Sequence, residues 1–89
     1  MDDQEILDKV KQGLSVDGND TDETLKVKIM AVKQYMMNAG IAQTTIETEL
    51  GIAALTIGVN DIWQLSPGEI KFSFAFEMCF IPQLQAISI

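Results

Sequence analysis

An all-α fold is the expectation for this 89-residue chain: one small domain, residues 1–89, of three to four helices with a long central helix and an extended carboxyl-terminal tail. Three observations predict it. Apolar residues recur at three- and four-residue spacing over 3–14, 21–39 and 45–65. Capping-box patterns, Asp20 to Glu23 and Thr44 to Glu47, open the second and third stretches. The third stretch is apolar on two opposed faces, the pattern of a helix enclosed by others.

In the first helix, Ile6, Leu7, Val10 and Leu14 share a face, while Asp2, Asp3 and Glu5 stand at the amino end, where the helix dipole favours them. Gly13 weakens the last turn and marks its end. After a polar loop over 15–20, the second helix carries the stripe Leu25, Ile29, Val32 and Met36, with Gly40 placed as its C′ residue. Lys26 and Lys33 fall off that stripe. Met30 and Met37 form a second apolar side that either fills the core or meets a neighbouring subunit.

The third helix is expected to run to about Leu65, a rod of roughly 30 Å. Ile46, Leu50, Ala53 and Ile57 make one face and Ile52, Leu55, Val59 and Ile62 the other. Leu25, Ile29, Val32, Ile46, Leu50, Ile57 and Trp63 are the expected core. Gly51 and Gly58 cost helix propensity and so point to close helix approach. Ser66-Pro67-Gly68-Glu69 is a turn. Beyond it Phe72, Phe74, Phe76, Met78 and Phe80 alternate as in a strand, yet Phe72, Phe76, Phe80 and Leu84 also fit helical spacing. Ser73 as N-cap favours a short helix over 74–81, stopped by Pro82, with an extended tail from Gln83.

A chain this short buries only about 60–65% of its unfolded surface, so its core is marginal unless stapled. A single cysteine excludes an internal disulfide, and the absence of histidine excludes a Cys/His metal site; oligomerisation is the remaining common staple. Cys79, in a Phe-rich run, reads as a small buried hydrophobe. No signal-peptide pattern opens the chain and no apolar run is long enough to span a membrane, so a cytoplasmic origin is expected.

Six lysines, no arginine and thirteen acids give a net charge of −7. Eight of the acids fall in residues 1–23 beside two lysines. An acidic chain without arginine is poorly suited to gripping nucleic acid, which argues against a helix-turn-helix role for 44–57. Asp17 to Glu23 superficially resembles a calcium loop, but Asp22 stands where glycine is required and Lys28 where a bidentate glutamate belongs. No nucleophile–base pair, paired carboxylates or phosphate-cradling loop is present, so neither enzyme activity nor a cofactor or metal is expected. The Asp-Ser-Leu of acyl carrier proteins is missing. The strongest interaction signal is the carboxyl-terminal segment: twelve of the eighteen residues from Phe72 to Ile89 are apolar, and only Glu77 is charged. Trp63, Phe72, Phe74, Phe76, Phe80, Ile81 and Leu84 are therefore the expected oligomer or partner interface. Asn60 and Asp61 beside Trp63 read either as a helix-end hydrogen-bonding group or as part of that interface.

The stretch AALTIGVNDIWQLSPGEIKFS, Ala53 to Ser73, resembles the small head–tail connector (head-completion adaptor) proteins of long-tailed bacteriophages. The resemblance extends over about residues 3–85 and is most specific over 53–73 and 76–84. Gly58, Asn60, Asp61, Trp63, Gly68, Lys71, Ser73 and Phe76 stand at its motif positions, whereas Phe74 occupies a place where proline commonly follows the serine. The resemblance implies a non-enzymatic helical subunit of a ring, usually dodecameric, beneath the portal protein at the head–tail junction of the virion. Such a ring is assembled in the host cytoplasm, lets DNA pass without sequence-specific binding, and docks the next head-completion or tail protein. A second class compatible with the acidic segment 1–23 is a small regulatory protein that sequesters a basic protein partner.

Overall fold

Asp2 opens the first helix by accepting the Glu5 N–H on its carboxylate at 2.8 Å, which satisfies one of the four orphan donors of the first turn. The computed structural model to which this contact belongs describes residues 1–63 and 71–88. Helix α1, Asp3–Leu14, ends at Ser15 in a left-handed conformation (φ 57°). Helix α2 is Asp22–Asn38, α3 the single turn Gln43–Ile46, and α4 Glu49–Trp63. A π-helical segment, Ala75–Phe80, runs directly into α5, Ile81–Ile87. The fold is all-α, with no strand among the described residues. The turn over 66–69, its Gly68, and the expected end of the long helix near Leu65 lie outside those residues.

The hydrophobic stripes fold as their spacing dictates. Ile6, Leu7 and Val10 of α1 and Leu25, Ile29, Val32 and Met36 of α2 are buried, and Gly40 (φ 92°) follows the C-cap of α2. Helix α4 lies at the centre and touches α1, α2, α3, the π-helical segment and α5. Ala54, Leu55, Val59 and Ile62 form its enclosed side, while Leu50, Ile57 and Trp63 are half-buried at the edge of the core and Ala53 is exposed. One face of α4 is thus fully covered and the other only partly.

Both capping boxes give way to other contacts. The Lys11 ammonium sits inside the loop before α2, donating to the Gly18 carbonyl (2.6 Å), Asn19 Oδ1 (3.3 Å) and Asp22 Oδ1 (2.8 Å). That draws the loop onto α1, and α2 starts from Thr21 without a side-chain cap. The long helix expected over 45–65 is broken at Glu47–Thr48. Glu47 turns to the amino-terminal ammonium at 2.6 Å, which raises that group's pKa, and Thr48 caps α4 by accepting the Gly51 N–H at 3.1 Å. A Cβ at Gly51 would run into the Thr45 and Ile46 carbonyl oxygens, so only glycine allows this corner.

The extended tail is also corrected. Residues beyond Gln83 are helical, and Pro82 lies at the junction where the π-helical segment passes into α5. In a continuous α-helix the proline ring would press on the Met78 carbonyl; the wider π turn, in which the Ile81 N–H reaches back five residues to Phe76, removes that clash. The same widening sets the inward-facing residues as Phe76, Ile81 and Leu84. Gln85 Nε2 donates to the Ala39 carbonyl (2.6 Å), and the Ala42 N–H donates to Ser88 Oγ (3.2 Å), fastening α5 to the α2–α3 corner.

Candidate assembly surface

Four of the motif residues, Gly58, Asp61, Ser73 and Phe76, converge where α4 ends and the π-helical segment begins. Asp61 Oδ2 accepts both the Ser73 N–H (2.9 Å) and the Ser73 hydroxyl (2.8 Å). The same hydroxyl oxygen accepts the Phe76 N–H at 3.3 Å, so Ser73 is the cap expected of it. A carboxylate that receives two donors is a strong clamp, because hydrogen bonds to charged groups exceed neutral ones. It holds Phe76 against α4, where Gly58 leaves room: a Cβ there would lie 2.7 Å from both the Phe76 ring and Val32 Cγ1. Phe72 stacks on Phe76 (centroids 4.4 Å), and Tyr35 of α2 covers the pair at 4.7 and 6.0 Å.

Lys28 secures the other side. Its ammonium donates to the Ile62 carbonyl at 3.3 Å, satisfying one of the open acceptors at the end of α4, and lies 5.7 Å from the Trp63 ring centre. Sequence reasoning missed Lys28 and Tyr35. Their signal is spacing: seven residues apart, they flank the buried stripe at Leu25 and Val32 on the side that meets α4.

The expected interface residues divide. Phe76 and Leu84 are fully enclosed by the chain's own core and Ile81 nearly so; they form no outward surface, because the π turn and α5 aim them inward, Phe76 against Gly58 of α4. Trp63, Phe72 and Phe80 pack on the core with part of each ring exposed. Phe74 stands 74% exposed, and Met78, four residues on, 61%. Glu77 between them and Cys79 beside them are exposed as well, so Cys79 is not the buried hydrophobe its neighbours suggested. Asn60 and Lys71 are exposed.

A second apolar feature lies between α1 and α2, a groove of about 140 Å³ with Ile6, Leu7 and Ile29 beneath it and Met30 along one wall. Met30 is 68% exposed and Met37 39%, so both point away from the core. Among the described residues no acid or thiol cluster suits a metal ion, and no helix is long and apolar enough to cross a membrane. What the arrangement offers chemically is apolar surface held in a fixed place by a polar clamp. Comparison of this chain with protein-family models, with curated proteins and with solved structures finds no match.

Proposed function

We propose that the chain is a structural subunit of the head–tail connector of a long-tailed bacteriophage. It joins further copies in a ring, dodecameric in the virion, beneath the portal protein. The ring extends the DNA channel and offers a docking surface to the next head-completion or tail protein. The chain works by assembly and not by catalysis, with no cofactor. The observation that carries this reading is the exposed pair Phe74 and Met78 on the segment that Asp61 and Ser73 pin to the central helix. Exposed large apolar side chains on a rigid support suit a permanent partner better than solvent. The acids at the start of α1, its cap Asp2 with Asp3, Glu5 and Asp8, are exposed, and a negative wall would repel passing DNA instead of binding it.

Those exposed acids also favour the second reading, sequestration of a basic protein through residues 1–23. One experiment separates the two. The chain is co-expressed with the portal protein encoded nearest to it, and the product is examined by native mass spectrometry and negative-stain imaging. The connector reading expects a ring of this chain on the portal and no binding to duplex DNA at physiological salt. A one-to-one complex with a basic protein, with no portal ring, would instead favour the regulator.

A further inference from the structure

We infer that the groove between α1 and α2 receives Phe74 from a second copy of this chain, in a head-to-tail contact. The inference rests on the connector reading in taking the partner to be another subunit. Size supports it first. An enclosed aliphatic cavity of about 150 Å³ accepts a benzene ring; this groove, open on one side, measures about 140 Å³, with the buried Ile6, Leu7 and Ile29 as its floor and Met30 as its exposed apolar wall. Phe74 is the most exposed large hydrophobic residue among those described. Met30 on the wall offers a thioether to the ring, a contact that sulfur makes favourably with aromatics.

Charge supports it next. Lys33 and Lys26 stand on the rim of the groove with Asp3; Lys26 also pairs with Glu23 of its own helix at 3.4 Å, which leaves Lys33 as the rim lysine paired with no acid among the described residues. Glu77, exposed three residues beyond Phe74, is the only acid among the described residues after Asp61. With Phe74 seated, Glu77 reaches the lysine side of the rim. Such a rim pairing contributes little affinity but fixes orientation. Met78, on the same face as Phe74, then covers the exposed side of Met30.

Geometry supports it last. At about 100° per residue, Lys26, Ile29, Met30 and Lys33 share one flank of α2, while Lys28 and Tyr35, which meet Trp63 and Phe72, lie on the opposite flank. Phe72 is held to that far flank by Tyr35, and the exposed Phe74 is two residues beyond it in the chain. Each copy therefore carries the projecting ring on one side and the receiving groove on the other. That is a heterologous contact, which closes into a ring or continues as a filament and does not stop at a symmetric dimer.

The test is sedimentation velocity on the full chain from about 1 μM to about 1 mM, with two variants at exposed positions, Phe74→Asp and Met30→Asp. Unchanged circular dichroism and melting establish that both fold. Each variant alone is expected to associate at least about 30-fold more weakly than the parent, the scale of a central interface residue. An equimolar mixture is expected to give a one-to-one dimer and nothing larger, because Phe74→Asp keeps its groove and Met30→Asp keeps its ring. A parent chain that stays monomeric throughout, association indifferent to both variants, or a mixture without dimers would each overturn the inference. All three leave the connector reading standing if rings form on the portal, and self-association with no affinity for portal would fail that reading alone.

Discussion

Asp61 and Gly58 act on the same side chain by different means. Asp61 fixes the backbone ahead of Phe76 through Ser73, and Gly58 vacates the space the ring fills. Ser73→Ala is expected to lower stability by about 1–2 kcal/mol, the value of a lost cap with a charged partner left short of donors. Combined with Asp61→Ala it should cost clearly less than the two separate losses added together, since both remove one network. Urea denaturation of the four proteins measures this; strict additivity would mean the clamp is not a unit. For Gly58→Ala, better helix propensity works against a Cβ pressed on two core groups. Overpacking prevails, and a net loss of about 1–2 kcal/mol is expected. A rise in the urea midpoint would show that Phe76 can move aside. Cys79 should react with a thiol reagent in the folded protein at the rate of a free thiol, and protection would require that it lie inside.

The helices α1 and α2 were legible because each presents one uninterrupted stripe, and a strict three- and four-residue spacing has few other meanings. The caps were less so. Asp20–Glu23 and Thr44–Glu47 are local patterns; the second gives way to the distant amino-terminal ammonium on Glu47, and in the first Lys11 holds the intervening Asp22 while Glu23 pairs with Lys26. No inspection of four consecutive residues reveals a competitor eleven or more positions away. The segment after Ser73 was half legible: its cap was visible, but Gln83, Leu84 and Gln85 fit period two as well as a helix in which only Leu84 points inward. That choice has a measurable consequence. Leu84→Ala should cost about 2–5 kcal/mol as a core truncation, whereas Ile87→Ala, at a position 59% exposed, should stay within about 0.5 kcal/mol. A neutral Leu84→Ala in thermal melts would return α5 to the status of a loose tail.

For the molecule as a whole, the expected surface was partly core. Composition points seven apolar residues outward, but it counts apolar groups and cannot say which way a π turn rotates them. Phe74 stayed outside; Phe76, Ile81 and Leu84 did not. Four of the motif positions, Gly58, Asp61, Ser73 and Phe76, hold this fold together. A chain ending at residue 74 would retain α1 to α4 without the side chains that close their shared core. It is expected to keep far-ultraviolet helix signal while losing near-ultraviolet signal, as loosely packed helical states do. A fully native near-ultraviolet spectrum would show that four helices suffice.

The position of Phe76 and Leu84 in the chain also bears on how the protein is made. Translation delivers α1, α2 and α4 well before either side chain, and α5 docks back on Ala39 and Ala42 across 46 residues of sequence. Until the carboxyl-terminal segment is present, α1, α2 and α4 lack the side chains that seal their shared core. Folding is therefore completed after that segment emerges, and slow passage through codons beyond Phe76 would lengthen the interval in which the nascent chain is open to chaperones and to aggregation.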